Sequence, residues 1–280
     1  MKRLLAIEFY KFRHSKSSKI VTIVYLVVVA LLLLAGLISL NFNGRSVSFA
    51  DMGMFNFPFV WHISTYMVSF LKFLIAIVLV SLTASEYSNR TLKQNLIDGL
   101  SKKELILSKF YLVIALSLIV TALVFVLSLC LGLIYSDFTE ANIVFRNLEY
   151  VGAFFISHLV FFSMCLFAGI LVKRSAFALG LIGIWGIFEL ILKAISSGLD
   201  YYYKWNTWDY LGEILPLTTT ASLIVEPFSK ISAVKSGIEM ISQDAYVKDY
   251  SVPILSIVIC LIYTTLFVYW SYVLLKRRDL

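Results

Sequence analysis

Residues Ile20–Leu40 read IVTIVYLVVVALLLLAGLISL, a run of 21 residues without a charged side chain. A helix rises about 1.5 Å per residue, so about 20 residues cross the roughly 30 Å hydrocarbon core of a bilayer. Because backbone amides and carbonyls find no water there, such a run has to be helical. The stretch therefore predicts a membrane-spanning helix close to the N-terminus.

The chain continues with five more apolar runs of 20 residues or longer, at His62–Leu82, Phe110–Ile134, Val151–Val172, Ala176–Ile195 and Pro253–Leu275. Composition agrees, since 60% of residues are hydrophobic and 15% are charged, against about 25% charged in soluble domains. The first run exceeds the length of a signal-peptide core, and no A-x-A-like cleavage site follows it. We predict an all-α polytopic membrane protein, with six spans in one transmembrane domain over residues 1–280.

Charge is distributed unevenly between the connecting segments. With the N-terminus inside, segments 1–19, 83–109, 173–175 and 276–280 carry 16 Lys and Arg against 5 Asp and Glu. The segments on the other side, 41–61, 135–150 and 196–252, carry 6 against 11. This is the positive-inside pattern, which predicts two cytoplasmic termini. The net charge of +7 therefore reflects topology, and we do not expect nucleic-acid binding.

The cysteines and histidines do not predict a metal or catalytic site. Cys130, Cys165 and Cys260 lie in three different apolar runs, without a CxxC pair, as is typical of cysteines that act as small hydrophobic residues. The three histidines, His14, His62 and His158, have no carboxylate or Cys at metal-ligand spacing. We expect neither a metal site nor a catalytic histidine.

Residues 1–19 place Leu4, Leu5, Phe9 and Phe12 toward one face of a helix, with basic residues elsewhere. This pattern predicts an amphipathic helix in the inner membrane interface, although Glu8 intrudes at the edge of the apolar face. The alternative is a solvated basic flank that only sets topology.

Segment 83–109 contains a small apolar cluster of Leu96, Ile97 and Leu100 in polar sequence. Asp98-Gly99 predicts a helix end, and Ser101 with Glu104 has the spacing of a capping box for the next helix. We therefore predict a short helix, a tight turn and a helix that continues into the third span. An apolar cluster on such a loop indicates a surface that another protein covers.

Segment 196–252 is long and aromatic. It contains six rings that predict an interfacial belt, at Tyr201, Tyr202, Tyr203, Trp205, Trp208 and Tyr210. The apolar stretch Leu211–Val225 is too short to span and is interrupted by Pro216. We predict short broken helices that dip into the outer leaflet.

This organisation resembles the ABC-2 type permease family, the membrane subunits of type V ABC exporters. The resemblance lies mainly in one pattern, Glu86-Tyr87-x-x-Arg90-Thr91-Leu92 followed by Gly99-Leu100-Ser101-Lys102 and Lys109. It is similar to the family pattern on the loop that carries the coupling helix, except that Arg90 often corresponds to Gly and Lys102 to Arg. A second similarity is Leu215-Pro216-Leu217 after span five.

The resemblance implies partners. It implies that the chain pairs with a second permease, identical or paralogous, to enclose a path, and that each half contacts a cytoplasmic ABC ATPase. The chain has no G-x-x-x-x-G-K-[ST] loop, so we expect ATP and Mg²⁺ to be bound by that ATPase and no cofactor by this chain. The residues expected to couple the two proteins are Glu86, Leu96, Ile97, Asp98, Gly99, Leu100, Ser101 and Lys102.

Three charges fall within the predicted spans: Lys72, Glu189 and Lys193. Ionisable groups at this depth cost at least about 2.5 kcal/mol and usually face a cavity or a partner. The resemblance implies that spans two and five line the path. We hypothesise that Lys72 pairs with Glu189; the alternatives are that Glu189 pairs with Lys193 while Lys72 reaches the headgroups, or that Glu189 contacts substrate.

Gly180, Gly183 and Gly186 recur every three residues in span five. Small residues let helix backbones approach closely, so the stripe predicts a packing face; the alternative is a flexible gate.

The resemblance favours an exporter permease in a bacterial cytoplasmic membrane. An intramembrane enzyme would need a motif such as HExxH or GxSxG, and neither is present. A secondary transporter often shows inverted repeats, which are not visible here. These two classes remain the alternatives, and the sequence does not identify the substrate.

Overall fold

The computed structural model describes residues 2–42, 45–47, 50, 52–89, 91–203, 207–242 and 248–278. The fold is all-helical, as predicted, apart from one short antiparallel hairpin of β1 (Leu40–Phe42) and β2 (Arg45–Val47). Leu40 pairs with Val47 in this hairpin, and Phe42 pairs with Arg45.

The α-helices of the described residues follow one another along the whole chain. They are α1 (Lys2–His14), α2 (Lys16–Leu34), α3 (Phe59–Ser69), α4 (Lys72–Ser88), α5 (Thr91–Ile97), α6 (Lys102–Tyr135), α7 (Ala141–Val144), α8 (Glu149–Val172), α9 (Ser175–Tyr203), α10 (Thr207–Ile214), α11 (Pro216–Ser222), α12 (Ser232–Ser242) and α13 (Ile254–Arg277). Two 3₁₀ turns, Ala35–Leu37 and Phe228–Lys230, extend α2 and precede α12.

Five stretches of the described chain are long and apolar enough to cross a membrane: Lys16–Leu37, Lys102–Tyr135, Ala141–Val172, Ser175–Tyr203 and Ile254–Arg277. A sixth span is obtained when α3 and α4 are taken together, and these two helices meet at an angle of 47°. The predicted second span, His62–Leu82, is therefore a bent pair of helices. The count is five spans, or six with the bent pair.

The bend in the second span coincides with a change in the helical hydrogen bonds. The Ser69 hydroxyl donates to the Tyr66 carbonyl at 2.7 Å, and hydroxyls that bond the preceding turn often bend a helix. After it the Leu71 amide bonds the Val68 carbonyl, and α4 begins with Lys72. The sequence contains neither Pro nor Gly at this point, which is why it did not predict the break.

The central helix of the bundle is α8, which contacts α3, α4, α6, α9 and α13. In the most apolar stretch of the span that contains α8, 72% of the residues are buried. In the corresponding stretches of α2 and α9, 17% are buried. The latter two helices are therefore peripheral and expose apolar faces. One continuous cluster of buried apolar side chains extends from Tyr25 to Leu275.

Contacts between the connecting segments define two ends of the bundle. At one end, α1 packs on α6, α5 packs on α4, and Lys102 reaches the carbonyl oxygen of Arg278. We call this the basic end, since it combines the four segments with excess positive charge. At the opposite, acidic end, Trp61 donates to the Val144 carbonyl and Tyr150 donates to the Tyr250 carbonyl.

Short helices do lie between spans five and six, at α10, α11 and α12. Tyr201, Tyr202 and Tyr203 are exposed at the end of α9, six to eight residues beyond Ile195, the predicted end of that span. Trp205, like Arg90, lies outside the described residues, and so do the side chains of Trp208 and Tyr210.

Candidate functional site

Five polar side chains meet at the basic end, and we call them the ion cluster: Glu8 and Lys11 from α1, Glu86 from α4, and Ser108 and Lys109 from α6. Lys109 Nζ lies 2.8 Å from Glu86 Oε1 and 3.6 Å from Glu8 Oε2. Lys11 Nζ lies 2.9 Å from Glu86 Oε1 and 3.2 Å from Glu8 Oε1. The Ser108 hydroxyl donates to Glu8 at 3.2 Å. The cluster thereby joins three helices.

The ion cluster is buried yet electrically balanced. Glu8, Glu86 and Lys109 are 1%, 4% and 3% exposed, and the two carboxylates face two ammonium groups. Removing such charges from water costs several kcal/mol per ion, and the pairing offsets that cost only in good geometry. One oxygen, Glu86 Oε2, is buried without a hydrogen-bond partner. The cluster is therefore stable only while all three helices keep their positions.

Sequence reasoning found part of the ion cluster. The family-like pattern contained Glu86 and Lys109, whereas Lys11 was placed only among the basic residues away from the apolar face of the N-terminal helix. The sequence feature that could have indicated the cluster is Glu8, a carboxylate at the edge of that apolar face. Its burial explains that position, because this face of α1 packs on α6 and α2.

Next to the ion cluster, α5 ends in the predicted tight turn. The Leu100 amide bonds the Asn95 carbonyl at 3.0 Å and the Gly99 amide bonds the Leu96 carbonyl at 3.2 Å. This is a Schellman motif, which requires a left-handed residue after the helix, and Gly99 has φ +95°. The Asp98-Gly99 helix end is confirmed.

The predicted capping box at the start of α6 is also confirmed. The Glu104 amide donates to the Ser101 hydroxyl oxygen, and the Ser101 amide donates to Glu104 Oε2 at 2.9 Å. The box starts a helix of 34 residues, about 51 Å long at 1.5 Å per residue. This length exceeds the bilayer core, so α6 carries the predicted third span and also projects from it at the basic end.

The three apolar residues of the loop have different environments. Ile97 is 74% exposed, whereas Leu96 and Leu100 are half-buried and Leu96 packs against the core. Leu92, one helical turn earlier, is buried. Ile97 is therefore the apolar side chain of this loop that a partner could contact. Leu92 and Leu96 anchor the same helix to the core of the bundle.

Lys102 is engaged within the chain. Its ammonium donates to the carbonyl oxygens of Lys276 at 3.3 Å and Arg278 at 2.9 Å. The Arg278 guanidinium in turn donates to the carbonyls of Ile170 and Leu171. Cations suit these positions, because the last carbonyls of α8 and α13 carry partial negative charge. Lys102 thus ties the start of α6 to the end of α13, and Arg278 ties that end to α8.

A groove of about 610 Å³ separates α1 from α5 at the basic end. Its walls carry both charge and apolar surface, with Arg3, Ile7 and Tyr10 on one side and Gln94, Asn95 and Asp98 on the other. With Ile97 next to it, the groove forms a mixed surface at the end of the bundle.

Glu189 does not pair with Lys72 in the structure. Its carboxylate, 4% exposed, accepts hydrogen bonds from the indole of Trp185 at 2.7 Å and from the amides of Leu217 and Thr218 at 3.1 and 2.8 Å. The Thr218 hydroxyl adds a fourth at 2.8 Å. Leu217 and Thr218 are the second and third residues of α11, so Glu189 acts as an N-cap supplied by another helix.

Lys72 lies at the bend of the second span. Its ammonium is 4.9 Å from the centre of the Phe161 ring, a cation–π contact. Among the ion pairs of the described residues none includes Lys72. The hypothesis of a Lys72–Glu189 ion pair is therefore wrong for this structure, because backbone donors of α11 already satisfy Glu189.

The glycine stripe lies at an open surface of the chain. A side chain at Gly180 or Gly183 would meet no atom within 4 Å, and one at Gly186 would touch Leu217. Packing against a neighbouring helix of this chain is therefore limited to Gly186 and α11.

The acidic end is held by a hydrogen-bonded group around His62. His62 stacks on Tyr150 with ring centroids 3.9 Å apart, its Nε2 lies 2.6 Å from the Val225 carbonyl, and its Nδ1 lies 3.1 Å from Lys230 Nζ. These contacts fit a neutral ring that donates through Nε2 and accepts through Nδ1. Burial lowers the pKa of Lys230, although nearby Glu149 opposes this shift. Sequence reasoning missed this group.

Within the described ranges, no three side chains of His, Cys, Asp or Glu converge as metal ligands would. His158 is buried, with Nδ1 2.9 Å from the Phe154 carbonyl.

Residues 4–189 match the model of a protein family described as "ABC-2 family transporter protein". The match covers well over half of the chain, including the ion cluster, α5, Lys72 and Glu189. A search among curated proteins finds no significant match.

Proposed function

Because the chain belongs to the ABC-2 family of transporter proteins, we propose that it is the membrane-spanning permease subunit of an ATP-driven ABC exporter. Members of this family are membrane components of transport, not catalysts, and normally work with an ATPase subunit. The proposal assigns ATP and Mg²⁺ to that ATPase. One observation carries it, namely that exposed Ile97 sits on α5 beside a buried ion cluster that joins three helices.

The proposed coupling begins at α5. The ATPase contacts Ile97 and fills the groove between α1 and α5, where Arg3 and Asp98 supply charges of both signs. When the ATPase moves, α5 pushes through Leu92 and Leu96 into the core. Because the ion cluster fixes α1, α4 and α6 together, these helices move as one body, with α4 and α6 as levers.

Membrane placement follows from charge. The basic end lies in the cytoplasm with both chain termini, in the cytoplasmic membrane of a bacterium. A second permease, identical or paralogous, encloses the path along spans two and five. Span five corresponds to α9, whose apolar face is exposed in the single chain and includes Ile184, Ile187 and Ile191. This exposed face is consistent with a second permease packed beside α9.

Co-purification tests the proposal. The tagged chain is purified from its native host in mild detergent, and co-eluting proteins are identified by mass spectrometry. We expect a stoichiometric ABC ATPase, lost in Ile97→Asp because a charge at the contact opposes burial. Leu96 is left unchanged, since its side chain packs against the core and an Asp there would damage the fold.

Met240→Asp is the matched control. Met240 lies on α12 at the acidic end and is 82% exposed. Its substitution therefore also replaces an exposed apolar side chain with Asp, but at the opposite end of the bundle. Retention of the ATPase by this variant and its loss in Ile97→Asp support the proposal. A chain that elutes intact without an ATPase in several lipids favours a secondary transporter or a membrane enzyme instead.

Orientation is tested separately. Single cysteines at Ile97 and Met240, in a background without Cys130, Cys165 and Cys260, are exposed in whole cells to a membrane-impermeant thiol reagent. We expect labelling at position 240 and none at position 97 until the cells are opened. The reverse pattern would contradict the proposed topology.

A further inference from the structure

A cleft of about 760 Å³ lies between α4, α9 and α11, on the side of the bend that faces the acidic end. We call it the Lys72 cleft. Its walls are largely apolar, with Phe73, Ile187, Leu217 and Ile224 among the lining side chains, and Lys72 also lines it. Ligand sites of this volume typically combine apolar walls with a few polar groups that fix orientation.

Lys72 provides the cationic group on the wall of the Lys72 cleft. Glu226 also lines the cleft, but its carboxylate pairs with Lys248 at 2.7 Å and accepts from Ser229. Glu189, next to the cleft, is occupied by four donors from Trp185 and α11. In the described residues the charge of Glu226 is balanced by Lys248, and the oxygens of Glu189, which keeps its negative charge, are directed at Trp185 and α11. The Lys72 ammonium contacts an aromatic ring instead.

The Lys72 ammonium is the group of this wall that an anion would meet. Lys72 is the first residue of α4, and its ammonium lies over the Phe161 ring, outside any ion pair of the described residues. An anion there would replace a cation–π contact with a full ion pair in a medium of low dielectric constant.

The surroundings of the cleft indicate how an occupant reaches it. Phe70, Phe73, Ile187 and Leu190, all lining residues, are between 50% and 66% exposed. These side chains belong to the predicted spans, so in the single chain the cleft opens sideways at the depth of the bilayer core. An occupant therefore arrives from the bilayer and must carry an apolar body together with its negative charge.

We propose that the Lys72 cleft binds an anionic phospholipid, with the headgroup phosphate paired to Lys72 and an acyl chain along the apolar wall. A zwitterionic lipid carries its own cation, which competes for the phosphate, so the site prefers a net negative headgroup. The proposal goes beyond the transport function, because binding is measured on the permease without any ATPase.

Photolabelling tests the proposal. The purified full chain is placed in phosphatidylcholine nanodiscs that contain a trace of phosphatidylglycerol or phosphatidylcholine with a photoactivatable acyl chain. We expect at least five-fold more labelling by the phosphatidylglycerol probe, on peptides of α4 and α9. Equal labelling by the two probes would overturn the proposal.

Three variants assign the selectivity to the cleft. Lys72→Met should reduce labelling by the anionic probe to the zwitterionic level, and Lys72→Arg should keep it. Gly183→Leu should block both probes by filling the cleft, and the backbone tolerates the change because an added Cβ atom would meet no atom within 4 Å. This last variant keeps the test decisive if Lys72→Met fails to fold.

Lys193→Met is the matched control for charge. Lys193 lies on α9, exposed, and does not line the cleft. We expect labelling as in the unmodified chain. Selectivity that survives in Lys72→Met, or disappears in Lys193→Met, would point to general surface charge and overturn the proposal. Displacement of the probe by inorganic phosphate would do the same, since it would show a site for a free anion.

Discussion

At the residue scale, Lys109 is the charge on which the ion cluster depends most. It is 3% exposed and reaches both Glu86 and Glu8. Lys109→Met leaves two buried carboxylates facing one ammonium, and breaking a buried pair in this way costs about 3–5 kcal/mol. We expect a clear fall in the unfolding temperature of the purified protein, measured by a thermal-shift assay.

Two further variants control this prediction. Lys103→Met removes the same charge from an exposed position of α6 and should change stability by less than about 0.5 kcal/mol. Adding Glu86→Gln to Lys109→Met should recover part of the loss, because charge balance returns. A Lys109→Met protein as stable as Lys103→Met would refute the importance of the ion cluster.

Glu189 provides a second residue-scale prediction. Glu189→Ala leaves the Leu217 and Thr218 amides of α11 without an acceptor, and losing a cap or a buried bond costs roughly 1–3 kcal/mol. Glu189→Gln keeps one acceptor oxygen and should cost less. A double-mutant cycle with Lys72→Met should give a coupling energy well below that of a direct buried ion pair, because no ion pair joins the two side chains. A large coupling would restore the ion pair expected from sequence.

The sequence could identify the charged residues but not their partners. Lys72 and Glu189 were recognised as costly groups within spans, yet the partner of Glu189 is the backbone of α11, which has no side-chain signature. Glu8 and Lys11 are distant in sequence from Glu86 and Lys109, so their meeting depends on how α1 docks.

At the element scale, local signals predicted helix ends well. The Asp98-Gly99 end of α5 and the Ser101 capping box both follow from hydrogen bonds within a few residues. The bend between α3 and α4 could not be predicted in this way, because serines occur in many straight helices. Nor could the hairpin β1–β2 be predicted, although its first residue, Leu40, is the last residue of the predicted first span.

The segment between α11 and the 3₁₀ turn Phe228–Lys230 should respond to acid. Burial alone would raise the pKa of Glu226, but hydrogen bonds from Lys248 and Ser229 outweigh burial and hold the pKa below its ordinary value of 4.5. A depressed carboxyl pKa stabilises the fold above about pH 4.5, and this stabilisation is lost as pH falls through the folded-state pKa.

We therefore expect Glu226→Gln to lower stability at pH 7 and to have less effect near pH 3. The difference should be below about 1 kcal/mol, because the Glu226–Lys248 pair is about one-third exposed. The free energies of unfolding of the two proteins are measured by chemical denaturation at pH 7 and near pH 3. An equal effect at both values would show that the ion pair contributes no pH dependence.

At the scale of the whole molecule, charge asymmetry predicted which segments lie together. The N-terminal helix, α5, the start of α6 and the chain end meet at one end of the bundle. Hydrophobic length predicted the spans because lipid imposes one simple requirement on the backbone. The arrangement of helices around α8 depends on side-chain packing across the chain, which composition does not encode.

The central claim is that an ATPase contacts α5 at the basic end. The most direct measurement is site-specific crosslinking in native membranes, with a photoactivatable residue at position 97 and, in a second protein, at position 240. We predict that position 97 forms a covalent product with an ABC ATPase and that position 240 does not. No ATPase product from position 97, despite a folded and inserted chain, would contradict the account.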